Sequence, residues 1–199
     1  MPSRLRPILL SFALGAAAPL ASALPISYYA ALDGPAEAPP NASPGHGSAW
    51  VTIDTDVHSL AVHIVFADLL GTTTAAHIHG PTATAGSGTA GVITSLPTFA
   101  GFPLGVSSGI YDALFDLGLA TSYNPAFVTA LGGSITSAEA ALADALAAGT
   151  SYLNIHSSLF PGGEIRGFLV QRIAEPGSLA LLAVGAGLGV FRRRRTPRP

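Results

Sequence analysis

From residue 24 onward, apolar and polar side chains alternate one for one, the mark of strands with a single buried face. Ile26, Tyr28 and Ala30 alternate with Ser27 and Tyr29 and predict a first strand, before a Pro-rich loop at 34–40. Ala49, Val51 and Ile53 share one face of the next strand, with Trp50, Thr52 and Asp54 on the other. A turn at Asp54-Thr55-Asp56 leads into Leu60, Val62, Ile64 and Phe66, which alternate with Ala61, His63 and Val65 and complete a hairpin. Asp54 and Asp56 are turn formers rather than half a calcium site, because no further acidic ligands follow.

Further along, Ala75-Ala76-His77-Ile78-His79 predicts a third strand ended by Gly80-Pro81, then a loop of small residues over 82–91. Val92-Ile93 and Leu96 suggest a short strand, and residues 97–109 are rich in Pro and Gly. Tyr111, Leu114, Phe115 and Leu119 have helical spacing. Tyr123-Asn124-Pro125 starts a short helix through Leu131. Thr136 to Glu139 has capping-box spacing, with Leu142 and Leu146 on one face and Gly149 as the stop. Residues 110–149 therefore read as a helical insertion packed on the sheet. The chain then returns to strands, Tyr152 to His156 and Glu164 to Val170, around the turn Pro161-Gly162-Gly163. The expected fold is mainly all-β, an antiparallel β-sandwich with short helices inserted around 110–149.

Both ends differ from this body. Residues 1–23 read as a signal peptide: Arg4 and Arg6, an apolar run from Ile8 to Leu20, and Ala21-Ser22-Ala23 as a small-residue cleavage site. At the other end, residues 177–191 are apolar apart from Ser178, and are followed by Arg192 to Arg195. As a helix those residues rise about 22 Å, short of the roughly 30 Å hydrocarbon core. The abrupt basic switch would hold such a short transmembrane segment with its C-terminus on the cytoplasmic side. The order Glu175-Pro176, apolar stretch, arginine cluster resembles the PEP-CTERM sorting signal of Gram-negative bacteria, with Ile173-Ala174 in place of that signal's Val-Pro. This resemblance implies processing by a membrane-embedded exosortase near Glu175-Pro176, after signal peptidase has cut at Ala23. The domain proper would be 24–174 and the sorting segment 175–199. The protein would reach the outer surface, the extracellular matrix or the periplasm.

Removing the ends changes the charge. Within residues 24–176 there are two arginines, Arg166 and Arg172, and no lysine, against all eleven acids, a net charge of −9. An acidic body without clustered Lys or Arg argues against nucleic acid as a partner. With no cysteine, neither disulfides nor thiolate chemistry is available. GxxxxGK[ST] phosphate-loop and HExxH motifs do not occur.

Candidate chemistry lies in two stretches, Ala76-His77-Ile78-His79-Gly80-Pro81 and Tyr152-Leu153-Asn154-Ile155-His156 with Pro161-Gly162-Gly163-Glu164-Ile165-Arg166-Gly167. Strand residues two apart share a face, so His77 and His79 point together and can reach one ion, with His156 as a third ligand. The competing assignment has them hydrogen-bonding neighbouring carbonyls. Imidazole suits copper and zinc alike. His46, His58 and His63 stand as surface histidines, and Glu164 with Arg166 as an exposed pair on one strand face. Together the two stretches resemble the CHRD domain, first recognised as a repeat in chordin and common in bacterial exported proteins, from about Tyr28 to Gln171. That resemblance implies a non-enzymatic binding or structural role at the cell surface or in a matrix, with exopolysaccharide or surface components as partners. More distantly, the His-x-His strand and later His look like copper/zinc superoxide dismutase, a Greek-key sandwich, which implies His77, His79 and His156 as copper ligands. The alternative function is then a copper-binding redox protein with dismutase-like chemistry. Residues 80–91 hold no His, Asp or Glu to build that enzyme's zinc loop.

Overall fold

The computed structural model describes residues 24–172. The expected signal peptide with Ala23, the Glu175-Pro176 processing site and the apolar 177–191 span lie outside the described residues. Among the described residues, no helix is long and apolar enough to cross a membrane.

Among the described residues, eight strands carry the fold: β1 (Ile26–Asp33), β2 (His46–Asp54), β3 (Ser59–Ala67), β4 (Thr73–His79), β5 (Gly109–Asp116), β6 (Tyr152–Ser157), β7 (Ile165–Phe168) and β8 (Val170–Arg172). They form one antiparallel sheet in the order β4-β6-β7-β1-β2-β3-β5, with β8 also paired to β1. The sheet curls into a half-barrel, so the two layers of the expected sandwich are the two ends of one sheet. The Thr73 backbone, at one edge, bonds Val106 O and Gly105 N just ahead of β5, at the other edge, at 2.8 and 2.9 Å.

The hairpin register follows the alternation read from sequence. Val51 lies opposite Val62, and Tyr28 opposite Val51. Tyr28, Ala30, Leu32, Ala49, Val51, Ile53, Leu60, Val62, Ile64 and Phe66 are all buried in one core. From the other end of the sheet come Ala76, Ile78, Leu153, Ile155 and Ile165. The Asp54 carboxylate accepts from the Asp56 amide at 3.0 Å, which makes this segment the turn expected of it.

The middle of the chain departs from expectation in three places. Residues 109–116 are strand β5, paired along β3 from Ser59–Asp116 to Phe66–Gly109, and not the start of a helical insertion. Tyr111 and Phe115 face the core while Leu114 faces solvent, and the three together give the segment its false helical spacing. Residues 92–96 form only bridges, Val92 with His79 and Thr94 with Tyr123, rather than a strand. Helix α1 (Pro125–Ala130) starts at Asn124 as expected, its side chain accepting from the Ala126 amide. Helix α2 (Ile135–Ala147) is capped by Ser134 Oγ, which accepts from the Ser137 amide at 3.2 Å, not by Thr136. Glu139 is therefore no capping partner. Its carboxylate accepts from His58 Nδ1 at 2.8 Å, while Leu142 and Leu146 join the core. Gly149, at φ +66°, ends the helix with the left-handed backbone that glycine adopts freely.

Candidate metal centre

Every second residue of β4 and β6 faces the core; the others face the opposite side of the sheet. His77 and His79 on β4, and Tyr152, Asn154 and His156 on β6, share that opposite side. The pairing sets His77 against Asn154 and His79 against Tyr152, so His156 lies diagonally beside His77. Loops bury this patch. Residues 91–99 run along the free edge of β4, where Gly80 N bonds Gly91 O, Ile93 N bonds Ile78 O and Phe99 N bonds Ala76 O. As a result His77 is 5% exposed and His79 8%, with His156 half-buried.

Each imidazole uses one nitrogen on a backbone carbonyl. His77 Nε2 meets Pro97 O at 2.7 Å, His79 Nδ1 meets Ala90 O at 3.0 Å, and His156 Nδ1 meets Pro161 O at 2.9 Å. A carbonyl can only accept, so these nitrogens carry the protons and the tautomers are fixed. The remaining nitrogens, His77 Nδ1, His79 Nε2 and His156 Nε2, are buried lone pairs with no hydrogen-bond partner. One ligand atom from each ring lies within 4.8 Å of the others. The ring centroids are 5.3 to 5.8 Å apart. Two nitrogens bound tetrahedrally to one zinc stand about 3.4 Å apart, so the widest pair need close by only about 1.4 Å.

Electrostatics keep the rings neutral. Burial lowers all three below the ordinary imidazole value, His79 to about 4. Neutral imidazole is the form that binds metal, and a carbonyl-bound second nitrogen is the usual support of such a ligand.

The structure thus brings together His77, His79 and His156. It leaves the other histidines elsewhere, as expected: His46 is exposed at the start of β2, and His63 Nδ1 pairs with Asp112 at 2.7 Å on the outer sheet face. His58 faces Glu139 across the fold. Glu164 and Arg166 correct the expectation of an exposed pair, for both are buried and neither partners the other. Glu164 accepts from Ser43 Oγ at 2.6 Å and from the Leu70 and Gly71 amides. Burial alone would raise its carboxyl, but those bonds and one from Ser157 hold it below the usual carboxylate range. Arg166 Nε donates to Ala36 O and lies 3.8 Å from Glu37, while its Nη1 donates to Gly88 O at 3.1 Å. Tyr152 is the residue of this patch that the histidine motifs did not reveal. Its ring stacks on His79 at 4.9 Å and 8°, a position that period-two spacing through Asn154 to His156 predicts.

Against this geometry, the CHRD domain matches residues 28–169. The chain belongs to the CHRD domain family. The matched span contains all three clustered histidines and both of their strands. No curated protein matches, and no solved structure does.

Proposed function

We propose that this CHRD domain is an exported, non-enzymatic binding module that holds one copper or zinc ion through His77, His79 and His156. The observation that carries it is the convergence of three partnerless, buried lone pairs, one from each ring, on rings whose other nitrogens are tied to carbonyls. A buried polar atom without a partner is costly, and a shared cation satisfies all three at once. Three imidazoles leave a fourth position open, and the Irving–Williams order favours Cu(II) over zinc. An ion here would tie β4 to β6 and to the loops that supply the three carbonyls. With the ion bound, none of the three rings would keep a nitrogen with which to relay a proton, which argues for a binding role over acid–base catalysis.

A copper redox function is the second reading, favoured by the partial solvent exposure of His156. Export rests on residues 1–23, and the PEP-CTERM-like 175–199 segment would place the protein at the envelope, the surface or the matrix, with exosortase processing and polysaccharide or surface partners.

Copper titration of the purified protein tests the site. One ion per chain is expected for the wild type, with the affinity lost in His77→Ala, His79→Ala and His156→Ala and kept in His58→Ala. Equal weak binding by all of them would leave the three histidines as structural hydrogen-bonders. Superoxide turnover by the copper-loaded protein would favour the redox function.

A further inference from the structure

Three contacts converge on the short loop that holds His79. The carbonyl of Ala90 accepts the His79 Nδ1 proton. Residue 90 is itself gripped by Tyr152, whose hydroxyl lies 3.2 Å from Ala90 N and 3.3 Å from Ala90 O, and so both accepts and donates. Two residues earlier, Arg166 Nη1 donates to Gly88 O. The same guanidinium lies over the Tyr152 ring at 4.8 Å, and that ring lies flat against His79. Loop 82–91 is made entirely of Gly, Ala, Ser and Thr, so it has no bulky side chain of its own to anchor it. Its first half is tied to Gly149 and Thr150, where Thr82 N bonds Thr150 O and Gly86 N bonds Gly149 O, and the stretch from Gly88 to Ala90 is held by side chains of β6 and β7.

We propose that Tyr152 and Arg166 are positioning residues of the histidine site: they hold the stretch from Gly88 to Ala90 so that the Ala90 carbonyl fixes the tautomer and tilt of His79. The inference rests on the metal site proposed above, but the tautomer itself can be read without metal. Tyr152 acts twice, through its ring on the imidazole and through its hydroxyl on the carbonyl that the imidazole needs. Arg166 supports both, one contact to the loop and one to the ring. Without the grip, Ala90 O would move, the Nδ1 proton would lose its acceptor, and the lone pair would no longer be confined to Nε2.

The test uses Tyr152→Phe, which keeps the ring and removes only the hydroxyl, and Arg166→Lys, which keeps the charge and loses the planar fork. Nitrogen-detected NMR of the metal-free protein reads the His79 tautomer; copper titration with the Cu(II) paramagnetic resonance spectrum reads the site. For Tyr152→Phe we expect mixed His79 tautomers, a copper affinity about tenfold weaker and a changed spectrum, since second-layer partners typically contribute roughly 10- to 100-fold. Arg166→Lys should move the same three readouts in the same direction, and His63→Gln none of them. If Arg166→Lys fails to fold, Tyr152→Phe decides alone. An unchanged His79 tautomer in Tyr152→Phe overturns the proposal whether or not copper binds. A mixed tautomer in a protein whose wild type takes up no copper would support the positioning role while removing the metal site.

Discussion

At the scale of single residues, Glu164 and Arg166 show how burial changes the worth of a charge. They are two apart in sequence, yet each has been taken up by a different set of loops. Glu164 is fully buried and its four donors come from Ser43, Leu70, Gly71 and Ser157. Removing its charge leaves those donors facing a neutral amide, so Glu164→Gln should cost about 2–3 kcal/mol in urea unfolding, the range for hydrogen bonds to a buried charged group. Asp112→Asn, which loses only the exposed contact to His63, should cost under about 1 kcal/mol. Equal costs would mean that the Glu164 cluster is solvated. The histidine cluster was legible at this scale because period two forces His77 and His79 to one side. The fate of Glu164 and Arg166 was not, because loops 34–45 and 69–71 reach them from more than ninety positions away.

Among the elements, the alternating strands of the first half were legible and β5 was not. Ala49, Val51 and Ile53 form an unmixed inner face, so only one register buries them. In β5 the inner residues are Tyr111, Ala113 and Phe115, while the outer face also carries Ile110 and Leu114, exposed at 66% and 73%. With apolar side chains on both faces, alternation disappears and an i, i+3, i+4 pattern replaces it. The cap of α2 failed for a simpler reason: Ser134 and Thr136 are both competent caps, and only the backbone chooses. Val62→Asp, which puts a charge into the core between β2 and β5, should prevent folding, whereas Thr52→Asp on the outer face should cost under about 1 kcal/mol. Circular dichroism of the two variants checks this, and matched losses would mean the faces are reversed. Ser134→Ala should cost about 1 kcal/mol by loss of the cap.

For the molecule as a whole, the buried titratable groups set how stability should follow pH. The three site histidines have folded values depressed below 6.5, His79 to about 4, so in that window the unfolded chain holds more protons. Their contribution is therefore complete above about pH 6.5 and is lost as the pH falls through the folded values, for His79 about 4. Glu37 works in the opposite sense. Burial pushes its carboxyl up to about 7 against the pull of Arg166, so the folded chain takes up that proton first and gains stability as the pH falls from about 7 toward 4.5. The two effects overlap and partly cancel, which should give the metal-free wild type a shallow acid slope. Glu37→Gln removes only the opposing contribution. Urea unfolding between about pH 7 and pH 5 should then show a steeper loss in Glu37→Gln than in the wild type. Copper should raise the melting temperature at about pH 7, and that gain should shrink toward pH 4 as protons compete for the same lone pairs. Parallel profiles for wild type and Glu37→Gln would mean that Glu37 stays ionised beside Arg166 throughout, with the histidines setting the slope between about pH 7 and pH 5.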